Sequence, residues 1–221
     1  MTLDGPAGSG KSTTAKAIAR RLGLRHLDSG ALYRALTFAL LEAGVPEERW
    51  ATLGVGDFRA LGVSMVPTGG GFEVRLAGRR LVGELRSTEV TDRVARLARL
   101  PAARACLIDL QRTAGERGRL VADGRDMGTV VFPDADLKVY LVADLEERAR
   151  RRLRETDATE PGEGALASQI GAIRDRDSID SGRDVSPLRR PDDAIEIDTT
   201  DLSFEQQVDA IVELVSRLTL P

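Results

Sequence analysis

The chain has 221 residues, a formal net charge of −3, 30% charged residues and a single cysteine, Cys106. That length suits one domain with a large core and appended insertions, and the near balance of charge excludes the overall basic excess of sequence-nonspecific nucleic-acid binders, so any cationic patch is local. One cysteine excludes an intramolecular disulfide, no run approaches the roughly 18 apolar residues of a membrane span, and the N-terminus lacks a signal-peptide pattern, so a reducing cytoplasm is the expected location.

In chain order, the first predicted element is a clipped strand, because only Met1-Thr2-Leu3 precedes Asp4, short of the usual ~5 to 6 residues. The next residues, Gly5-Pro6-Ala7-Gly8-Ser9-Gly10-Lys11-Ser12, form a complete G-x-x-x-x-G-K-S phosphate-binding loop, with Thr13 after it. The glycines let successive N–H groups turn inward around an anion, Lys11 is placed to reach the outer phosphates of a nucleoside triphosphate, and the Ser12 hydroxyl is suited to Mg²⁺. A Gly/Ser-rich stretch also makes plain flexible loops. Here amphipathic spacing at Ala15, Ile18, Ala19 and Leu22 follows directly and predicts a helix from about Lys11.

Gly23 is a natural helix stop, and Leu24 to Leu27 predicts a short strand ending at Asp28-Ser29-Gly30. A helix is expected from Ala31 through Leu40, with Ser29 as its cap and Arg34 at helical spacing, where it could reach an anion; a plain cap with a surface arginine is the alternative. Between about Leu61 and Glu84, alternation in Val63 and Met65 and in Phe72, Val74 and Leu76, punctuated by Gly69-Gly70-Gly71 and Ala77-Gly78, predicts an inserted antiparallel β element. Helical spacing returns at Val90, Val94, Leu97 and Ala98, and Pro101 opens a further helix through Leu107 and Leu110.

Arg119 to Asp123 is a buried-strand pattern that ends on an acidic residue and runs into Gly124-Arg125-Asp126-Met127-Gly128. Arg125 and Asp126 could grip a phosphate and accept from a base amino group, or pair internally. Leu137 to Val142 predicts a strand, Glu146 to Glu155 a charged helix, and Glu160-Pro161-Gly162-Glu163-Gly164 a flexible join. Arg176, Asp180 and Arg183 stand at i, i+4 and i+7, on one face of a predicted helix; they would serve as a cationic flap over phosphates or as a self-paired solvated face. Arg148, Arg150, Arg151, Arg152 and Arg154 form another basic run, which could bind nucleic acid or line the base of the same flap; no interleaved aromatics support nucleic acid. A strand at Ala194 to Ile197 and an amphipathic helix through Val208, Ile211, Val212, Val215 and Leu218 complete the pattern. Strands alternating with helices predict an open, parallel α/β sheet with ligands at the strand C-terminal ends. His26 and Cys106 are expected to be structural.

Taken together, Gly5 to Thr13, Asp28 to Arg34, Gly83-Glu84-Leu85-Arg86, the block Asp123-Gly124-Arg125-Asp126-Met127-Gly128-Thr129-Val130-Val131-Phe132-Pro133-Asp134-Ala135 and the stretch Arg176 to Leu188 closely resemble bacterial cytidylate kinases. The resemblance implies a P-loop kinase in one domain: a parallel-sheet core flanked by helices (1–34, 105–147, 191–221), a monophosphate-binding region with the β insert (35–104), and an Arg-rich lid (148–190). It further implies that Gly5 to Thr13 bind ATP, with Mg²⁺ held through ATP at Ser12. Ser29, Arg34, Arg125, Arg176 and Asp180 would hold the phosphate and ribose of CMP or dCMP, and Arg104 and Asp126 would read cytosine. Lys11, Arg176 and Arg183 would act on the transferring phosphoryl group. Ala95 departs from the pattern, standing where family members can carry a serine near the base. The expected partners are the small molecules ATP and CMP or dCMP, with no nucleic acid or membrane, and a monomer is expected. A nucleotide switch is the rival from another class; the chain lacks a guanine-reading N-K-x-D motif, and acceptor-side arginines would have no task in it. A nearer rival is a phosphate-loop kinase for uridylate or a non-nucleotide alcohol.

Overall fold

A computed structural model describes residues 1–156 and 163–219. The chain divides into two compact units, residues 1–22 with 121 onward, and Gly23–Leu120. Both combine strands with flanking helices, and the strands of the first are all parallel.

The first unit contains strands β1 (Thr2–Asp4), β6 (Leu120–Gly124), β7 (Lys138–Val142) and β8 (Ile195–Asp198), in the order β6-β1-β7-β8. The brief first strand is real: three residues pair on both sides, with Thr2, Leu3 and Asp4 opposite Ala122, Asp123 and Gly124 and opposite Lys138, Val139 and Tyr140. All three residues of β1 are buried, as expected for a central strand of a parallel sheet. Helices α1 (Lys11–Leu22), α6 (Leu145–Thr156), α7 (Glu163–Ser181) and α8 (Phe204–Thr219) belong to the same unit, with α6 packed against α7. The amphipathic pattern of α1 buries Ala15, Ile18 and Ala19, and α1 packs on α8, where Gln207 Nε2 donates to Thr14 Oγ1.

The second unit holds β2 (Arg25–Asp28), β3 (Val63–Thr68), β4 (Gly71–Leu76) and β5 (Arg79–Arg80), with α2 (Ser29–Glu42), α3 (Val55–Ala60), α4 (Thr88–Leu97) and α5 (Pro101–Gly115). The β insert is antiparallel as expected, with β3 running against β4 from Val63↔Leu76 to Thr68↔Gly71. It is not a separate flap, because β4 also pairs in parallel with β2 through His26↔Gly71. Gly71 belongs to the strand, and a Cβ there would stand 2.5 Å from the His26 carbonyl oxygen. Only glycine allows that approach.

Several boundaries move. Helix α2 starts at Ser29, and Asp28 is its cap, accepting from Ala31 N–H at 3.0 Å. Aspartate does this as readily as serine, so the expected Ser29 cap is one residue late. Helix α7 ends at Ser181, so Arg183 lies past its end and meets Asp180 from the following turn. The join expected at 160–164 lies outside the described residues at 160–162, while Glu163 and Gly164 already belong to α7. The short helix α3 and the 3-10 turn Glu47–Thr52 carry no predicted counterpart. Six residues are too few to show a period, and burial of Trp50 and Phe58 holds them. No helix among the described residues is long and apolar enough to cross a membrane.

Candidate active site

The phosphate loop lies between β1 and α1 in a backbone form that only glycine permits. Gly5 has φ +148° and a Cβ on it would stand 2.1 Å from the Leu141 carbonyl oxygen, while Gly8 and Gly10 have φ of +76° and +87°. Gly5→Ala would need both a strained dihedral and displacement of β7, so it is expected to cost about 2–4 kcal/mol. Thermal denaturation checks this, and an unchanged melting temperature would contradict it.

Lys11 is buried, 6% exposed, and its ammonium donates to Pro6 O at 2.6 Å and to Ser9 Oγ at 3.3 Å. Burial pushes its pKa well below the ordinary lysine value and Arg125 adds to this, while Asp123, Asp4 and Asp180 oppose it. An incoming polyanion would relieve that destabilised cation. Ser12 Oγ donates to Asp123 Oδ2 at 2.5 Å, so the next-to-last residue of β6 faces the loop hydroxyl. Two hard oxygen donors side by side fit Mg²⁺, which keeps waters and takes its remaining ligands from nucleotide phosphates.

Helix α7 reaches the same loop. Asp177 Oδ1 accepts from Ala7 N–H at 2.9 Å, and Arg148 of α6 pairs with Asp177 Oδ2 while donating to Ala7 O at 3.0 Å. The Ala7 peptide is thus gripped at both its N–H and its C=O. One turn along α7, Asp180 is fully buried. It meets Arg125 at 2.8 Å and Arg176 at 3.4 Å, and it also pairs with Arg183. Burial works to raise the Asp180 pKa, yet Arg125, Arg176 and Arg183 together hold it below the usual carboxylate value. Three guanidiniums against one carboxylate leave surplus positive charge, the balance an anionic substrate would complete.

Asp126 is 3% exposed and directly precedes a single π-helical turn, Met127–Val131. Its carbonyl accepts from Val131 N–H at 3.2 Å and the Met127 carbonyl from Phe132 N–H at 2.7 Å. Such i→i+5 closures often occur at functional positions, and here the closure follows directly on Asp126.

Within the second unit, Ser29 is buried in the first turn of α2. Arg34, further along that helix, donates to Thr91 Oγ1 at 3.1 Å and to Leu85 O at 3.4 Å. This brings the Gly83-Glu84-Leu85-Arg86 stretch against Arg34. Arg104 of α5 is buried, donates to Ala98 O at 3.1 Å and lies over the Tyr33 ring at 5.3 Å. Ala95 is buried on α4.

Sequence reasoning did not single out Asp4, Tyr33, Thr91 or Asp177 as site residues, and it gave Asp123 and Arg148 only as a strand-end acid and as part of a basic run. For Tyr33 the signal was available, since it stands four residues after Ser29 on one helix. For Asp177 it was masked by the Arg/Asp alternation from Arg174 to Asp177, which reads as a solvated face. His26 is buried, and burial pushes the Cys106 thiol pKa up, as for a structural cysteine.

A family model described as cytidylate kinase matches residues 1–217. The chain belongs to the cytidylate kinase family. It is 44% identical to a cytidylate kinase of Exiguobacterium sibiricum, over 97% of this chain and 95% of that one. With the cytidylate kinase of Salinibacter ruber the identity is 43%, over 97% and 96% of the two chains. A bifunctional pantoate ligase/cytidylate kinase of Synechococcus sp. WH7803 is 44% identical over 97% of this chain and 44% of its own length, so the family domain also occurs fused to a second activity. Among solved structures, an uncharacterized protein from Eubacterium ventriosum superposes with a TM-score of 0.50 at 11% identity, covering 98% of this chain and 97% of that one. That likeness speaks to the fold alone.

Proposed function

We propose that this protein transfers the terminal phosphoryl group of ATP to the phosphate of CMP or dCMP, giving ADP and CDP or dCDP. Membership of the cytidylate kinase family supports the reaction. The structural observation that carries it is the presence in one unit of the phosphate loop and the Arg125, Arg176, Arg183 and Asp180 cluster, with Lys11 feeling the charges of Arg125 and Asp180.

The acceptor is a phosphate oxygen that is already anionic near neutral pH, so in-line attack needs no general base. The work left to the protein is positioning and charge neutralisation, which suits a site of lysine and arginines without histidine. Gly5 to Thr13 would bind the ATP phosphates. Lys11 would exchange its bonds to Pro6 O and Ser9 Oγ for the outer phosphates, and Arg176 and Arg183 would neutralise the group in flight. Ser29, Arg34, Arg125, Arg176 and Asp180 would hold the acceptor phosphate and ribose, and Arg104 and Asp126 its base. Mg²⁺ held through ATP at Ser12 would add charge neutralisation between the phosphates. Residues 148–190 would form the lid. The same reading has small-molecule nucleotides as its partners, and a monomeric cytoplasmic enzyme.

An ADP-release assay with ATP and Mg²⁺, comparing CMP, dCMP, UMP, AMP, shikimate and no acceptor, tests this. Release that depends on CMP or dCMP is expected. Acceptor-independent release would overturn the kinase reading, and a preference for UMP would overturn the cytosine assignment and point to Ala95 as the altered contact.

A further inference from the structure

Asp4 has no part in the functional assignment above, yet it is among the most constrained polar residues of the site. It ends β1, is 1% exposed, and its two carboxylate oxygens accept two consecutive N–H groups, Met127 at 2.9 Å and Gly128 at 2.7 Å. In the β1/β6 ladder Asp4 is opposite Gly124, the last residue of β6. Its side chain therefore takes over where sheet pairing stops. The peptides it holds open the π-helical turn that follows Arg125 and Asp126, and the residue after Asp4 is Gly5 of the phosphate loop.

The seat is also tight around Gly128 itself. A Cβ on Gly128 would stand 2.9 Å from Thr2 Oγ1, 3.0 Å from Pro191 Cγ and 3.2 Å from Lys138 Cδ, so the peptide has little room to drift from Asp4. Holding a carboxylate there is costly. Burial pushes its pKa up to about 6, against the Gly128 and Met127 bonds that lower it; nearby, Asp126 adds to the rise and Lys11 opposes it, and Tyr140 also feels the Asp4 charge. A neutral asparagine would avoid much of that cost, but it offers one acceptor oxygen and would set an amide N–H₂ against the second N–H.

We propose that Asp4 is a positioning residue for the acceptor side: its carboxylate locks the Arg125-Asp126 segment in register with the phosphate loop, so that donor and acceptor phosphates meet in line. This rests on the kinase reading above, in which Arg125 and Asp126 hold the acceptor. Asp4 touches no reacting atom. It acts through the Met127 and Gly128 peptides, and errors of about 1 Å in such a constellation are enough to cost ~10²-fold in rate.

The test uses Asp4→Asn and Gly128→Ala in the full chain, with initial rates measured against CMP and ATP separately. Gly128→Ala crowds the same peptide through a different contact, without touching the carboxylate. Both variants are expected to raise KM for CMP by at least ~10-fold while changing KM for ATP by less than ~3-fold. Melting is read in parallel at pH 4.5 and 7.5. Relative to the parent, Asp4→Asn is expected to gain in melting temperature between the two, because only the parent must carry a buried charge at the higher pH. Equal changes in both KM values, or a loss of stability with no KM split, would overturn the proposal as a merely structural role. If Asp4→Asn does not fold, Gly128→Ala alone decides by the same criterion. A parent enzyme that prefers UMP overturns the cytosine assignment instead, and the split is then read with UMP.

Discussion

Lys11→Ala is expected to lower kcat by at least ~10²-fold, in line with removal of a charge contact made to the transferring group. The argument starts from placement: Lys11 is the first residue of α1, and its ammonium is folded onto its own loop through Pro6 O and Ser9 Oγ. Those bonds fold the ammonium back onto the loop, and in the proposed reading it re-aims from them to a phosphate. Burial holds its pKa well below the ordinary value, and a polyanion beside it would favour the charged form. ATP affinity, measured by calorimetry, should fall less than kcat. Single-turnover rates give the decisive number, and an unchanged kcat would remove Lys11 from the mechanism.

Asp180→Asn is expected to destabilise the protein by about 3 kcal/mol, because it leaves Arg125, Arg176 and Arg183 facing one another without the carboxylate they share. Arg125 and Arg176 retain 21% and 23% of their side-chain exposure, which places the loss at the lower end of the range for broken buried pairs. For a chain of this size the melting temperature would fall by roughly 6–12 °C. Added inorganic phosphate should recover more of that loss in the variant than in the parent, since an anion then takes the place of the carboxylate. The pH dependence has a definite sign. A carboxyl held below its unfolded value contributes stability that is fully present above pH ~4 and is lost as pH falls through the lower, folded value. The parent should therefore lose stability in acid where the variant does not, and parallel acid profiles would contradict the assignment.

How much of this was legible in the residues depended on how local each signal is. The phosphate-loop pattern is local, resting on spacing and backbone freedom over eight residues, and the positive φ of Gly5, Gly8 and Gly10 is the backbone form it calls for. Strand and helix positions in the first unit followed from apolar periodicity, and Pro101 opened α5 where its missing N–H costs nothing. What could not be read was pairing across the chain. The Asp177 carboxylate on Ala7 N–H joins residues 170 apart, and the Ser12 to Asp123 bond spans 111; neither leaves a periodic trace. The Arg176, Asp180 and Arg183 group was found for a partly wrong reason. Helical spacing suggested one face, but the helix stops at Ser181, and Arg183 reaches Asp180 from the following turn. Charge complementarity outlasts the secondary structure that first suggested it. The β insert was recognised from alternation, whereas its parallel bond to β2 through Gly71 depends on a close backbone approach that a sequence pattern does not report.

The grip of Asp177 and Arg148 on the Ala7 peptide bears on how nucleotide affinity should be understood. In the proposed reading Ala7 belongs to the ATP site, so a nucleotide that claims its N–H must take it from a resident carboxylate. Binding is then an exchange of one anion for another, and the observed dissociation constant measures the difference between two occupants, not the strength of the phosphate contacts alone. The same exchange runs in reverse after turnover, when a carboxylate already tethered to the chain competes for the site that departing ADP leaves.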